Sequence, residues 1–312
     1  MEKLVSFLNS NDSFLRIKKE FENSNYPIND EVIKTNQNIL EEFASQYILC
    51  TVGPLINCQQ LIKGMQSNLS YRDEKFYITY FNCAHFIFEN RNHLIKSNYS
   101  YVDFDVDLFP QTVKGYLKGL SENKIFDENE KLERKRLIEN AGLVIVKYLE
   151  DKVNNYKKGY YIWGNLGIGK TNLLRALANE ACLRGGNVVF CTAPNIIENA
   201  KEQFSEKDSK NVILIKNLKK CDVLFIDDFA GEMVSLWSRD NFWFSIFNYR
   251  MDHQKLTFFT SNFSSVDLEN IYTIKSQPKT TEKKKVDRFI ERIKAISSSY
   301  NLKGEKSKRN LV

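Results

Sequence analysis

A glycine-rich segment of eight residues, 164–171, constrains this chain more than any other part of its sequence. It follows the pattern G-x-x-x-x-G-K-T. Glycines at these positions let backbone N–H groups surround a phosphate chain, while the lysine reaches the outer phosphates and the hydroxyl group holds Mg²⁺. The segment therefore predicts a nucleotide-binding loop. Its candidate binding residues are Gly164, Asn165, Leu166, Gly167, Ile168, Gly169, Lys170 and Thr171.

The sequence on either side of this loop supports the interpretation. Residues 160–163 form an apolar, aromatic run that is typical of a buried strand. Residues 172–184 carry apolar side chains at helical spacing and end at two glycines. This order of strand, loop and helix puts the positive end of the helix dipole at the anion site. The alternative is a glycine turn that joins a strand to a helix and binds no ligand.

Strand and helix patterns alternate through the rest of the chain. This alternation predicts an α/β fold in which helices cover both faces of a parallel sheet. Ligands of such sheets bind at the carboxyl ends of the strands. The predicted strands are 160–163, 187–191, 223–228 and 256–262. The polar residues at their ends are Lys170, Thr171, Asp227, Asp228 and Asn262. We therefore expect these side chains to share one site.

Two adjacent carboxylates follow the apolar run 223–226. Asp227 is placed to hold Mg²⁺ together with Thr171, because Mg²⁺ prefers oxygen ligands and keeps several waters. Successive side chains of a strand point to opposite sides, so Asp228 has a different role, and we predict a general base. Asn262 could orient the same attacking water. The alternatives are an Asp–Asp turn and an asparagine that simply forms a turn.

The length and composition predict two soluble domains. The chain has 312 residues, of which 42% are hydrophobic and 27% are charged. We predict a small mixed α/β domain over 1–95, a linker over 96–127 and a nucleotide-binding domain over 128–312. The N-terminus lacks a signal-peptide pattern, and no apolar run approaches the roughly 18 residues of a membrane span. We therefore expect a cytoplasmic protein with no membrane partner.

Positive charge is concentrated at the C-terminal end. The net charge is +6, whereas residues 275–312 alone carry 12 Lys/Arg against 4 Asp/Glu. Such a segment suits a phosphate backbone, although a solvated surface explains it equally. Arg288 and Arg292 lie four residues apart, so one helical face would present both to a phosphate group. Arg239 and Arg250 are further candidates for contact with DNA.

Four residues near the N-terminus could bind zinc. They are Cys50, Cys58, Cys83 and His85. A cluster of this kind in a reducing compartment favours a metal site over disulfides. The spacing argues against it, because structural zinc sites normally have ligand pairs two to four residues apart, and Cys50 and Cys58 are further apart than that. The alternative is that these cysteines are small buried hydrophobic residues.

The order of the motifs resembles the AAA+ ATPases of the bacterial helicase-loader family, the group of DnaI, DnaC and IstB. The likeness covers about 159–309 well and the first 100 residues more faintly. It depends on the glycine-rich loop, 223–228, 257–263 and 288–293, and on Trp237-Ser238-Arg239-Asp240 with Tyr249-Arg250-Met251. The resemblance implies a primosomal AAA+ P-loop domain that binds ATP and Mg²⁺.

Specific roles follow from that resemblance. Asp227 and Asp228 are the Walker B pair, and Asn262 is the first sensor. Arg292, or else Arg288, acts on the nucleotide of a neighbouring subunit, and Arg309 is a candidate second sensor. The second acid of the pair is Asp, where much of the superfamily has Glu. This shorter side chain predicts slow turnover, suited to a switch rather than a motor.

The resemblance also implies partners and a metal. The chain would load the replicative hexameric DNA helicase onto single-stranded DNA, with self-association through the AAA+ domain. The related family often binds zinc through a C-x-x-C pair, a later histidine and a final cysteine. Here Gly53 and Gln66 fall at two of those positions. The alternatives are a transposition helper ATPase of the IstB type and a nucleotide-gated DNA-binding module without significant hydrolysis.

Overall fold

The computed structural model describes residues 2–22, 24–205 and 209–304. The chain divides into two compact units, Met1–Arg91 and Asn92–Val312. The boundary falls inside a helix, Ala84–Ser97. The range 96–127, which the sequence predicts to be a linker, contains a strand, Tyr99–Val102, and a helix, Val113–Glu122, and both belong to the second unit.

The first unit packs four helices against a two-stranded antiparallel hairpin. Asparagine side chains begin two of the helices: Asn11 accepts from Phe14 N at 3.1 Å and Asn29 from Val32 N at 2.9 Å. Its core lies between the helices and the hairpin. The elements are α1 Glu2–Ser10, α2 Asp12–Glu20, α3 Asp30–Thr35, α4 Gln37–Gln46, β1 Met65–Arg72, β2 Lys75–Asn82 and α5 Ala84–Ser97.

The second unit is built on a six-stranded parallel sheet. Its strand order is β3-β5-β6-β7-β4-β8. The elements are β3 Tyr99–Val102, α6 Val113–Glu122, α7 Glu128–Glu150, β4 Gly159–Trp163, α8 Lys170–Leu183, β5 Val188–Thr192, α9 Ala193–Ser205, α10 Ser209–Lys220, β6 Val223–Asp227, a π-helix Trp237–Trp243, α11 Phe244–Asp252, β7 Leu256–Ser261, α12 Leu268–Tyr272, α13 Lys279–Ile296 and β8 Ser297–Asn301.

Helices cover both faces of this sheet. In β6, Val223 and Phe225 pack on the face that α7 and α8 cover. Leu224 and Ile226 pack on the opposite face, against α11 and α13. The central strands are apolar on both sides because both sides are buried. The predicted α/β fold with a parallel sheet is confirmed.

Two features of the second unit depart from the sequence pattern. The aromatic segment 237–251 begins as a π-helix and becomes α-helical at Phe244. The edge strands β3 and β8 were not anticipated, because they are short and contain serine and tyrosine instead of an apolar run. Strand pairing at the two edges of the sheet, and not local apolarity, makes these segments extended.

Candidate nucleotide site

The glycine-rich loop lies between β4 and the first turn of α8. Gly169 has φ +91°, a left-handed conformation that glycine adopts at little cost, and it is the residue from which α8 begins. The helix starts at Lys170, so the first backbone N–H groups of α8 point into the loop. The local sequence therefore builds an anion site at a helix N-terminus.

Lys170 is buried, and three oxygen atoms surround its ammonium group. Nζ donates to Gly164 O at 2.8 Å, to Asn165 O at 2.7 Å and to Asn262 Oδ1 at 2.9 Å. Two of these acceptors belong to the loop itself, and the third is the polar residue that follows β7. Because carbonyl and amide oxygens are weaker partners for an ammonium ion than phosphate oxygens, this arrangement holds the lysine ready for an anion.

Thr171 and Asp227 meet at the end of β6. Thr171 Oγ1 donates to Asp227 Oδ1 at 3.1 Å, and Thr260 Oγ1 donates to the same oxygen. Burial raises the pKa of Asp227, against the lowering effect of these hydroxyl donors and of Arg175. A buried carboxylate beside a threonine hydroxyl supplies the oxygen donors that Mg²⁺ prefers. The donor set at this position therefore fits the predicted ion.

Asp228 and Asn262 form the next link. Asn262 Nδ2 donates to Asp228 Oδ1 at 2.9 Å, while Asn262 Oδ1 accepts from Lys170. A continuous chain of hydrogen bonds thus runs from the loop lysine through Asn262 to the second carboxylate. The structure brings together all five polar residues that the sequence places at strand ends.

The family comparison with known proteins matches residues that lie within the second unit. Residues 121–277, just over half of the chain, match the family described as the bacterial DnaA ATPase domain. This chain belongs to that family. Membership in the DnaA ATPase domain family assigns nucleotide binding and hydrolysis to the second unit.

One relative, the helicase loader DnaI, extends the likeness to the first unit. The chain is 25% identical over 288 residues to the replicative helicase loader DnaI of Bacillus subtilis (strain 168), covering 89% of this chain and 84% of that protein. A crystal structure of DnaI is 26% identical with a TM-score of 0.51, and the match covers 66% of this chain and 97% of that one. The chromosomal replication initiator protein DnaA of Aliarcobacter butzleri (strain RM4018) is 41% identical over 69 residues, 22% of this chain and 15% of that protein.

Arg134 positions the loop and was missed from the sequence. Its guanidinium group is fully buried and donates to Ile168 O at 2.9 Å and to Lys303 O at 3.2 Å. It also lies 4.3 Å from the centroid of the Phe126 ring. Arg134 therefore ties the loop to α7 and to the segment after β8. One signal was available, because Arg134 falls at helical spacing on the apolar face of α7, where a cation needs buried acceptors.

Arg175 is a second basic residue near the site that the sequence did not single out. It lies one turn after Thr171 in α8, and its guanidinium carbon is 4.2 Å from the Phe109 ring centroid and 5.1 Å from that of Phe104. Burial lowers the pKa of Arg175, and the charge of Asp227 opposes this effect. Arg175 thus adds positive charge to the carboxylate side of the site.

The arginines predicted to act in trans lie on α13. Arg292 Nε donates to Asn248 Oδ1 at 3.0 Å, and Nη1 pairs with Glu291 at 3.0 Å. Arg288 is exposed, and both guanidinium groups lie against the Phe244 ring, at 5.3 and 5.7 Å. The structure therefore holds both on the α11 side of α13. Arg309, the candidate second sensor, lies outside the described residues.

Arg239 and Arg250 are wrong as candidates for contact with DNA. Both are fully buried. Arg239 pairs with Glu282 and Asp240. Arg250 donates to Leu256 O at 2.7 Å and to Thr257 Oγ1 at 2.8 Å, and also to backbone oxygens of the segment that precedes β6. Their charges are satisfied inside the protein, so neither guanidinium group is available to a phosphate backbone.

A separate group of potential metal ligands lies in the first unit. Its ligand atoms all fall within 4.8 Å of one another. Cys50 Sγ is 2.8 Å from His85 Nδ1, and the two remaining sulfur atoms are 3.7 Å apart. We call this group the cysteine–histidine cluster: Cys50, Cys58, Cys83 and His85. Chain folding therefore brings together four residues whose spacing argued against a common site.

The cluster fits a structural zinc ion. Three cysteines and one histidine are a common donor set for such sites, and two sulfur ligands at tetrahedral positions lie about 3.8 Å apart. The Cys58–Cys83 pair has nearly this separation. The backbone N–H of Gly64 donates to Cys58 Sγ at 3.3 Å and lowers the pKa of this thiol, which favours the metal-binding thiolate. The Cys50–His85 pair would have to open by several tenths of an ångström around an ion.

In the part of the chain that the structure describes, no helix has the length and apolarity needed to cross a membrane.

Proposed function

We propose that this chain is an ATP-dependent loader of the replicative DNA helicase, acting on single-stranded DNA in the cytoplasm. The observation that carries the proposal is the likeness to the replicative helicase loader DnaI over 288 residues, which runs through both units. The geometry of the nucleotide site supports it independently, because the residues needed for phosphate and Mg²⁺ binding already contact one another.

The proposed chemistry uses the residues at the strand ends. Lys170 would exchange its loop carbonyl acceptors for the β- and γ-phosphates, and Thr171 with Asp227 would hold Mg²⁺. Asp228 would accept a proton from the attacking water, which Asn262 orients. The water oxygen bonds to the γ-phosphorus while the bond to the β-phosphate oxygen breaks, so inorganic phosphate forms and ADP leaves. Bound Mg²⁺ supplies neutralisation of the phosphate charge.

A neighbouring copy completes the site in this proposal. Arg292, with Arg288 as the second candidate, would meet the γ-phosphate held by the next subunit. Asp228 is shorter than the glutamate common at its position in the superfamily, so hydrolysis is slow and serves to release the helicase. Basic residues of the C-terminal segment would hold the DNA backbone.

A transposition helper ATPase and a nucleotide-gated DNA-binding module are the competing functions. The likeness to the loader includes the first unit, which supports the loader, since helpers of the IstB type lack a helicase-binding N-terminal domain. The test is co-purification of the full chain with the replicative helicase, with ATP or ADP present. Capture of a transposase instead would favour the helper, and absence of phosphate release with helicase and single-stranded DNA would favour the module.

We also propose that the cysteine–histidine cluster holds a structural zinc ion. Gly53, where the related family has its second cysteine, lies beside the imidazole of His85, and a Cβ there would be 3.5 Å from His85 Cδ2. His85 and Cys58 would thus replace the two ligands that this chain lacks.

Metal analysis of the purified full chain tests the zinc proposal. We expect one zinc per chain, lost in Cys58→Ser and kept in Cys191→Ser, a matched control because Cys191 is buried in the second unit. Zinc content that is the same in both variants would contradict the assignment.

A further inference from the structure

The turn that follows β6 has an unusual backbone. Asp228 has φ +51° and Ala230 has φ +68°, both in the left-handed region. Non-glycine residues are strained in this region and persist there only where the surrounding structure determines the conformation. The turn carries the predicted general base, so the contacts that hold it also decide where the base points.

Gly231 gives the Asp228 carboxylate its space. A Cβ at position 231 would lie 2.6 Å from Asp228 Oδ2 and 2.9 Å from Asp228 Cγ. The carboxylate therefore folds back over the backbone of its own turn, while its other oxygen accepts from Asn262. Any movement of the turn changes the direction of this carboxylate.

Strand β7 holds the beginning of the turn. Phe229 N donates to Thr260 O at 2.8 Å, and Ser261 Oγ donates to Phe229 O at 2.7 Å. The Phe229 ring is fully buried among other aromatic rings, in contact with Trp243 and Tyr272. This side of the turn moves with β7, which leads directly to Asn262.

Glu232 holds the end of the turn. Its side chain is buried, and its Oε1 accepts from Trp243 Nε1 at 3.0 Å and from Tyr272 Oη at 2.5 Å. Oε2 is buried and has no hydrogen-bond partner among the described residues. Burial raises the pKa of Glu232. The hydrogen bonds from Tyr272 and Trp243 and from the backbone N–H groups of Glu232 and Ala230 oppose this effect. The two side-chain donors come from the π-helix and from α12, so the buried carboxyl group links the turn to both elements.

Those two elements are themselves fixed by a buried ion pair. Arg239 of the π-helix donates to Tyr272 O at 2.8 Å and pairs with Glu282 of α13. Glu282 also accepts from Ile274 N at 2.7 Å. Glu232 is therefore attached to a connected polar network that spans the π-helix, α12 and α13, and α13 carries the arginines predicted to act in trans.

We propose that Glu232 is a positioning residue for ATP hydrolysis. By binding Trp243 and Tyr272 it holds the end of the Asp228 turn, and so it aims the Asp228 carboxylate toward the attacking water. The inference rests on the proposed role of Asp228 as general base. It adds a residue that touches neither nucleotide nor Mg²⁺ and acts only through the turn.

The test compares Glu232→Ala with Glu232→Gln in the full chain, in the presence of helicase and single-stranded DNA. We expect Glu232→Ala to lower kcat about 10- to 100-fold, the effect of a misplaced reacting group. Affinity for a fluorescent ATP analogue should change less than about threefold, because the phosphate loop is untouched. Glu232→Gln should recover most of kcat, since its amide oxygen can accept both bonds.

A double-mutant cycle separates positioning from general stability. In an Asp228→Asn background, Glu232→Ala should cause almost no further loss of kcat, because the group that it positions is already absent. Asp222→Asn is the matched control: Asp222 lies at the other end of β6, where it pairs with Lys152 at 2.9 Å. This control should lower the melting temperature and leave kcat unchanged.

Three outcomes would overturn the inference: wild-type kcat in folded Glu232→Ala, losses of Asp228→Asn and Glu232→Ala that multiply, or a Glu232→Gln variant as slow as the alanine variant. If Glu232→Ala does not fold, Tyr272→Phe keeps the ring and removes one donor, and an unchanged kcat in that variant overturns the inference as well. A wild-type chain that binds ATP but never hydrolyses it would overturn the proposed hydrolysis together with this inference, whereas the other outcomes leave the loader function standing.

Discussion

The nucleotide site and the cysteine–histidine cluster are held by different kinds of structure. Lys170 and Asp227 are buried at the carboxyl ends of the parallel strands, where Lys170 contacts Asn262 and Asp227 contacts Thr171. The cluster lies where α4, the 3₁₀ turn Leu55–Asn57, β2 and α5 meet. The segment 48–62 leaves large apolar side chains exposed: Leu49, Val52, Ile56 and Leu61. The first site lies in a packed core, whereas the second lies beside an exposed apolar segment, so we expect its stability to depend on a bound metal.

The largest expected effect is removal of the proposed zinc ion from the first unit. A chelator should lower its free energy of unfolding by more than about 5 kcal/mol, because binding of a structural metal contributes directly to folding. Affinity for ATP should stay the same. Hydrogen exchange of the segment 48–62, measured with and without chelator, checks the effect, and equal protection in both samples would remove the distinction between the two regions.

The next effect tests how far the core of the second unit supports its site. Arg250→Met removes a buried cation from many acceptors and should destabilise this unit by about 3–5 kcal/mol. Arg288→Met, an exposed arginine of the same unit, should change stability by less than about 0.5 kcal/mol. Denaturant unfolding of the two variants provides the measurement. Similar midpoints would contradict the buried role of Arg250.

The Lys170→Ala substitution should weaken ATP binding and leave the protein folded. Loss of a charge-assisted contact to phosphate corresponds to about 100-fold lower affinity for ATP. Lys158→Ala is the matched control, because Lys158 directly precedes β4 and donates to Lys294 O at 2.9 Å, at the opposite end of the strand from the loop. Titration of a fluorescent ATP analogue distinguishes them. Wild-type affinity in Lys170→Ala would remove the basis for the nucleotide site.

The smallest effect depends on pH. Burial raises the pKa of Asp227, so its contribution to stability is full below the unfolded-state pKa and is lost as the pH rises through the folded-state pKa. At pH 7 the buried, ionised Asp227 carboxylate destabilises the folded state. Asp227→Asn should therefore stabilise the protein by up to about 1 kcal/mol, while it weakens the Mg²⁺-dependent binding of ATP. Thermal melts from pH 7 down to pH 4 should show this advantage shrinking, and an advantage that grows toward acid pH would refute the sign.

Sequence reasoning worked where chemistry and local structure coincide. The glycine-rich loop, Asp227 with Asp228, and Asn262 follow apolar strands directly, so periodicity alone put them at one edge of a sheet. It failed for Arg239 and Arg250, because a basic side chain reads as exposed unless its buried acceptors are known. Arg134 and Glu232 were missed for the same reason: their partners lie far away in the chain.

In the first unit, the contrast between what the sequence determined and what the tertiary structure decided is clearer. The four candidate ligands were visible in the sequence, but whether Cys50 and Cys58 could share a site depended on how the chain returns between α4 and β1. The sequence by itself determined the α/β order, the phosphate loop and the paired acids, since each is specified by neighbours within a few residues. Only the tertiary structure decided which charges are buried, which residues contact the turn that carries Asp228 and whether four distant ligands meet, because these depend on contacts between segments that are remote in sequence.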